Sequence, residues 1–285
     1  MISVVIPVMN EAENISRLIP GIYSLPYAVE VLLVDTKEGS TDGTLEIVEN
    51  FKNNYKNLNL IRQQGTGFAN AITEGLKLAK GDIIVTMDAE NHLPGEIPLL
   101  INKLREENAD VVVGSRFLKG ANVDLDKKRL IPSKIANKIA RASLQLNVKD
   151  CSSGFRVYRS GAIKDAVVNM KTQYFSVQVE ILDRIKEAKG KILEIPCTYL
   201  ARESGKSKYD IKPAVEDGMT ILKIAKDRQV EDIKSRIKGV KEKTESSKEK
   251  TGSMKEKFRD MKIGVDKVKS KGKDIFRDKF RDKFK

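Results

Sequence analysis

Apolar and polar positions fall in alternating blocks through the first half of the chain. Short aliphatic runs, "SVVIPV", "VEVLLVD", "LNLIR", "DIIVTMD" and "ADVVVGSR", are separated by "EAENISRLIPGIYSL", "TLEIVENFKNN", "GFANAITEGLKLAK" and "GEIPLLINKLREEN". Continuous aliphatic runs predict strands buried on both faces, and apolar residues recurring every three or four positions predict amphipathic helices. Their alternation builds a mostly parallel central sheet with helices on both faces, an α/β fold. Such sheets bind ligands beyond the carboxyl ends of their strands. Asp35, Asp88 and Arg116 each end a different aliphatic run and are expected on that edge.

Beyond these blocks, residues 118–138 predict a charged loop leading into a helix, and "SSGFRVYR" and "KILEIPCTYL" predict further strands. A polar loop, "ARESGKSKYDIKP", precedes a helix at "AVEDGMTILKIAKDRQ", after which Lys-rich sequence takes over. The charge divides the same way. Of the net +13, residues 229–285 hold 20 Lys+Arg and 11 Asp+Glu, leaving only +4 on the first 228. The expected organisation is a globular domain over 1–228 and a basic, amphipathic or partly disordered tail over 229–285. "MISVVIPV" looks like a strand rather than a leader, and no window is apolar enough to span a membrane. Cys151 and Cys197 have neither metal-ligand nor disulfide-framework spacing, which fits a reducing, cytoplasmic compartment.

Candidate chemistry concentrates in "DIIVTMDAENHLPGEIP", where the aliphatic run gives way to Asp88, Glu90 and His92, the only histidine. Residues i and i+2 of an extended segment face the same way, so Asp88 and Glu90 can offer two carboxylates to one hard cation. Mg2+ or Mn2+ would take these plus substrate phosphate oxygens, and manganese also accepts imidazole. The plainer reading is a solvated turn after a strand. A dinucleotide reading rests on "GTGFAN", but Asn70 replaces the third glycine of that fingerprint and the unit is not the first strand.

"VVIPVMNEAENI", "VDTKEGSTDGT", "MDAENHLPGEIP", "VVVGSRF", "DCSSGFRVYR" and "EIPCTYLARESGKSK", in this order, resemble the family-2 glycosyltransferases of GT-A fold, within them the dolichyl-phosphate mannose synthase branch. The resemblance covers about residues 2–225 and implies a Rossmann-like nucleotide-diphospho-sugar transferase domain. It implies nucleotide contacts at Pro7, Asn10, Glu11, Asp35 or Glu38, and Asp88–Ala89, and a metal held by Asp88, Glu90 and His92. Arg116, Arg129, Arg202, Ser207 and Lys208 match positions that hold phosphate groups, while Arg156 is open between a structural and an acceptor-facing role. Three positions depart from the family pattern. Glu90 stands where aspartate is usual, "DTKEGSTDGT" replaces "DDGSTDGT", and the acceptor loop reads "LKGANVDLDKKR".

The implied reaction moves a hexose from a nucleotide sugar, GDP-mannose or UDP-glucose, to a polyprenyl or dolichyl phosphate with inversion, aided by Mg2+ or Mn2+. The acceptor phosphate is already ionised near neutral pH, so no general base is needed. The tail suits a peripheral place on the cytoplasmic face of a membrane. Phe258, Met261, Val265 and Val268, then Phe276, Phe280 and Phe284, form apolar stripes among lysines and arginines. Nucleic-acid binding by the tail, with the body as scaffold, is the different-class reading. The many acids among the bases and the lack of an aromatic stacking platform argue against it.

Overall fold

The structure is a computed structural model that describes residues 1–125, 127–172, 174–201 and 211–246. Side-chain detail covers these except at 127–129, 211–217, 232 and 239–246. Arg202, Ser207, Lys208, the side chain of Arg129 and the tail beyond 246 therefore lie outside the described residues. Met1–Ile221 and Leu222–Lys285 form separate compact units, a division seven residues before the one expected from the charge.

The five aliphatic runs form β1 (Ile2–Val8), β2 (Val29–Asp35), β3 (Leu58–Arg62), β4 (Ile83–Thr86) and β5 (Val111–Ser115). The helices between them are α1 (Ala12–Tyr23), α2 (Thr44–Lys52), α3 (Gly67–Leu78) and α4 (Ile97–Glu106), the last entered through a 3-10 turn at Pro94–Glu96. Each helix buries one stripe: Ile15, Leu18, Ile19 and Ile22 on α1, and Ile97, Leu100, Ile101 and Leu104 on α4. That spacing fixes the face turned to the sheet. On α3 the glycine is required. A Cβ on Gly75 would lie 2.3 Å from a methyl of Val5, so only glycine lets this helix approach β1 so closely.

Strand order in the main sheet is β3-β2-β1-β4-β7-β5-β8, with β7 (Arg156–Arg159) and β8 (Ile192–Pro196) completing it. All pairings are parallel except those of β7, which is antiparallel to both β4 and β5. Register then decides what meets at the edge. Val8 pairs with Asp35, Val5 with Thr86 and Ser115 with Pro196, so the ends of β1, β2, β4, β5 and β8 share one side. Because β7 runs backwards, its entry at Arg156 sits opposite Thr86 and brings "DCSSGF" to the same side.

Residues 118–138 hold the expected lead into a helix and add a short strand. β6 (Asn122–Val123) pairs in parallel with β9 (Thr198–Tyr199) in a separate two-stranded sheet, and α5 runs from Lys127 to Leu144. Two helices, α6 (Ser160–Ala166) and α7 (Val177–Glu187), fill a stretch for which the sequence pattern gave no element. α7 is buried on almost every side, including Gln178, Glu180 and Asp183, so it shows no clean amphipathic period. The last described helix, α8 (Ile211–Ser246), continues through the expected domain boundary at 228.

Candidate active site

Two loops at the carboxyl edge are stitched to each other. Asp35 closes β2 fully buried, and its carboxylate accepts the Thr36 N–H, the Ser40 N–H and the Ser40 Oγ–H, each at 2.8 Å. The Ser40 hydroxyl oxygen accepts the Asn10 N–H at 2.9 Å, and Asn10 Oδ1 accepts the Thr41 N–H at 2.8 Å. Glu11 N–H donates to Thr44 Oγ1 and Ala12 N–H to Asp42 Oδ2, both at 3.0 Å. Asn10 sits at φ 57°, a left-handed conformation that asparagine tolerates better than most residues. The two loops thus form one rigid platform at the ends of β1 and β2. Pro7 lies within β1 leading to it, and Glu38 is exposed on its rim.

The turn after β4 is different. The Asp88 side chain is 29% exposed, Glu90 is half-buried, and Ala89 between them is buried. Room for the Asp88 carboxylate depends on Gly154 from "DCSSGF", where a Cβ would lie 3.0 Å from Asp88 Oδ1. Asp88 and Glu90 supply hard oxygen donors on one turn, which suits a divalent cation that completes its shell with substrate oxygens and water. Among the described residues, no three His, Cys, Asp or Glu side chains gather as a metal set.

His92 is turned into the protein in this structure. Its side chain is 1% exposed, stacked on Phe155 at 4.9 Å and edge-on to Tyr199 at 5.4 Å. Nδ1 accepts the Asp88 N–H at 3.2 Å, so the proton of the neutral ring resides on Nε2, which is buried without a hydrogen-bond partner. Burial holds the imidazole below its ordinary pKa against the pull of the Asp88 carboxylate, whose Oδ2 is 3.8 Å from Nδ1. That approach is therefore not an ion pair. The imidazole supports the turn from beneath.

Arg116 is also engaged. Nε and Nη2 grip Asp150 at 2.7 and 2.8 Å, and Nη2 reaches Ser152 Oγ at 2.9 Å. Asp150 is fully buried; burial pushes its carboxyl up, but the Arg116 guanidinium and its hydrogen bonds hold it below the usual carboxylate range. Asn137 of α5 pins the same loop, donating to Ser152 Oγ at 2.8 Å and accepting the Ser152 N–H at 3.1 Å. Arg156 is fully buried, with Nη2 on the Cys151 carbonyl at 2.6 Å and Nη1 on the Gln178 carbonyl at 2.7 Å. This resolves the open choice for Arg156 toward bracing. Cys151 and Cys197 are free, and burial pushes both thiols up to about 12, so neither is a nucleophile near neutral pH.

The "GTGFAN" loop spends its donors internally. The Glu74 carboxylate accepts Gln64 N–H at 2.9 Å, Gly65 N–H at 3.4 Å and the Asn70 amide at 2.7 Å. A dinucleotide pyrophosphate would have to displace this carboxylate. Asp150, Ser152, Asn137, Gly154 and Asn91 were not singled out from the sequence. All but Asn137 lay inside quoted motifs, and nothing local distinguishes an anchoring asparagine from a surface one.

Comparison with known proteins agrees with this architecture. The family model described as glycosyl transferase family 2 matches residues 3–166. The chain is 32% identical over 219 residues to dolichol-phosphate mannosyltransferase of Pyrococcus furiosus, covering 75% of this chain and 61% of that protein. It thus spans about three fifths of that relative's length. It is 28% identical over 213 residues to polyprenol monophosphomannose synthase of Mycolicibacterium smegmatis, covering 72% and 79% of the two chains. Among solved structures, glucosyl-3-phosphoglycerate synthase from Mycobacterium tuberculosis, in complex with Mn2+, UDP and glucosyl-3-phosphoglycerate, superposes with a TM-score of 0.57 at 19% identity, covering 78% of this chain and 77% of that one. The shared fold is the GT-A arrangement of strands and edge loops. On the family model's match across more than half its length, the chain belongs to glycosyl transferase family 2.

Proposed function

We propose that the chain transfers a hexose, mannose in the first instance, from a nucleoside diphosphate sugar to a polyprenyl phosphate. The observation that carries this reading is the partly exposed carboxylate turn at Asp88 and Glu90, beside a rigid loop platform at the edge of a family-2 fold. The names of the two mannosyl-transferring relatives favour GDP-mannose. UDP-glucose is the alternative, since a solved neighbour is described with Mn2+ and that donor.

In this reading the platform of Asn10, Glu11 and the 36–43 loop seats the nucleotide, with Asp35 holding the loop and Glu38 on the rim. Asp88 and Glu90 hold Mg2+ or Mn2+, which supplies charge neutralisation on the leaving diphosphate. His92 keeps the turn in place from beneath. The acceptor phosphate needs no base, only a cationic seat. Two unit anions ~4 Å apart repel by about 4 kcal/mol at an effective dielectric of about 20. Arg116 is already neutralised by Asp150, so it orders the "DCSS" loop. The cationic seat falls to Arg129, Arg202, Ser207 and Lys208, on their motif positions. In-line attack by the phosphate oxygen on the anomeric carbon expels the nucleoside diphosphate and inverts the configuration, giving a β-linked product from an α-linked donor.

A lipid acceptor calls for contact with a bilayer surface. Among the described residues no helix is long and apolar enough to cross a membrane. α5 supports surface contact instead: Ile131, Ile135 and Ile139 are 55%, 55% and 44% exposed, one turn apart, beside the exposed Lys134 and Lys138. An apolar stripe edged with lysines suits an anionic interface. The basic tail is proposed to add to it, placing the enzyme peripherally on the cytoplasmic face.

The test is incubation with GDP-mannose or UDP-glucose, Mn2+ or Mg2+, and polyprenyl phosphate in anionic vesicles, with lipid products read by mass spectrometry and anomeric configuration by NMR. A β-linked hexosyl phosphate lipid is expected. Failure of every pairing, while the protein remains folded, would overturn the reading.

A further inference from the structure

The turn that presents Asp88 and Glu90 is fastened to the opposite side of the edge through Asn91. This side chain is 2% exposed. Its Nδ2 donates to the Leu200 carbonyl at 2.9 Å, its Oδ1 accepts the Tyr199 hydroxyl at 3.2 Å, and its own carbonyl accepts the Leu200 N–H at 2.9 Å. All three bonds fall on the end of β9. Glu96, from the same β4–α4 connection, accepts the Thr198 N–H at 3.1 and 3.0 Å. The guanidinium of Arg116 lies 5.2 Å from the centre of the Tyr199 ring.

β9 is two residues long and, among the described residues, pairs with β6, also of two residues. A ribbon that short has little stability of its own. One end of it is anchored through Cys197, whose N–H donates to the Ser115 carbonyl at 3.2 Å directly after β8, and Asn91 and Glu96 hold it from the β4–α4 connection. In sequence the ribbon adjoins both segments that carry the expected acceptor-binding residues: β6 precedes Arg129, and β9 precedes Arg202, Ser207 and Lys208.

Building on the functional reading above, we propose that Asn91 is a positioning residue that couples metal–diphosphate occupancy at Asp88 and Glu90 to the placement of the β6–β9 ribbon, and so to acceptor binding. Asn91 adjoins Glu90, so a cation held by Asp88 and Glu90 would shift its backbone. Its side chain passes that displacement to Tyr199 and Leu200. Replacing Asn91 by an apolar residue strands the Leu200 carbonyl and the Tyr199 hydroxyl and so lowers stability whatever its role, but a purely structural asparagine would leave the response of the ribbon to nucleotide intact. Coupling needs the bonds themselves.

The experiment combines amide hydrogen exchange with binding, using Mn2+ plus GDP and, in a parallel arm, Mn2+ plus UDP. In the wild type, nucleotide with Mn2+ should slow exchange at Thr198 and Leu200 by about fivefold or more, within the usual range of intersite coupling. It should raise affinity for short-chain polyprenyl phosphate by a similar factor. Asn91→Leu should keep Mn2+-dependent nucleotide affinity within about threefold, yet lose both the protection and the coupling, with the acceptor KM rising about tenfold. Tyr199→Phe, which spares the Leu200 bonds, should fall between and guards against misfolding of the first variant. Coupling retained in both variants, or donor and acceptor affinities falling in parallel with thermal stability, would overturn the proposal. A wild type that binds nucleotide with no change at the ribbon would overturn it alone. A wild type that binds neither nucleotide would take the functional reading down as well.

Discussion

Asp35 and Asp88 follow aliphatic strands on either side of β1, at the same edge, in quoted motifs of similar look. The structure gives them opposite surroundings. Asp35 is fully buried and surrounded by three donors from its own loop, whereas the Asp88 side chain is 29% exposed beside a glycine that leaves it room. The first carboxylate is satisfied within its own loop, and the second keeps a face open to solvent. Asp150 belongs with Asp35, sealed against Arg116. The motifs of this chain therefore contain two kinds of charged residue, sealed and presented, and the sequence writes them alike.

The sealed group should show its value in stability. Arg116→Ala leaves a buried carboxylate without its cation, and loss of one partner of such a pair costs about 3–5 kcal/mol, measurable by denaturant unfolding. The pair also has a pH signature. The folded Asp150 carboxyl lies below the ordinary carboxylate value of ~3.9. As pH falls the unfolded chain takes up the proton first, so the contribution is full above that value and is lost as pH drops through the depressed folded one. Asp150→Asn should flatten this part of the acid limb of the stability curve. An unchanged limb would place Asp150 among the presented groups.

Asp35→Ala should cost less, about 2–3 kcal/mol, because it strands loop donors without stranding a buried charge. Nucleotide affinity should fall with it as the platform loosens. Loss of affinity with no loss of stability would mean that Asp35 contacts the nucleotide itself. Gly154→Ala addresses the presented group. Its added methyl meets Asp88 Oδ1, so Mn2+ affinity should weaken roughly threefold, below 1 kcal/mol, with thermal stability little changed. Glu38→Ala should have the smallest effect on stability, within about 0.5 kcal/mol as for most exposed sites. Its nucleotide affinity then reports directly whether this side chain touches the base.

The sheet was legible because strands buried on both faces must be nearly continuously aliphatic, as β1, β2, β4 and β5 are, while β3 at the sheet edge is partly exposed. The edge placement of Asp35, Asp88 and Arg116 followed from the same rule. The reversal of β7 was not legible, since a strand's residue pattern reads alike in either direction, and α7 hid because burial on nearly all sides erases its period. At the site, residue types pointed to chemistry but not to occupancy. Arg116 reads as a phosphate ligand until Asp150, 34 residues away, closes on it. His92 sits beside two carboxylates in sequence, and the fold adds Phe155 against its ring and the Asp88 amide on Nδ1. Partners distant in sequence decide whether a charge is free to act, and a single chain read in order does not bring them together.

The most direct test of the division is calorimetric titration of GDP and UDP into the wild type, Asp88→Ala and Asp35→Ala, with and without Mn2+, beside each protein's melting temperature. Asp88→Ala should lose the Mn2+-dependent part of nucleotide binding while melting within about 2 °C of the wild type, since a partly exposed turn residue contributes little to the core. Asp35→Ala should melt several degrees lower and keep a Mn2+ requirement. Undiminished Mn2+-dependent binding by Asp88→Ala, or a melting loss equal to that of Asp35→Ala, would contradict the account.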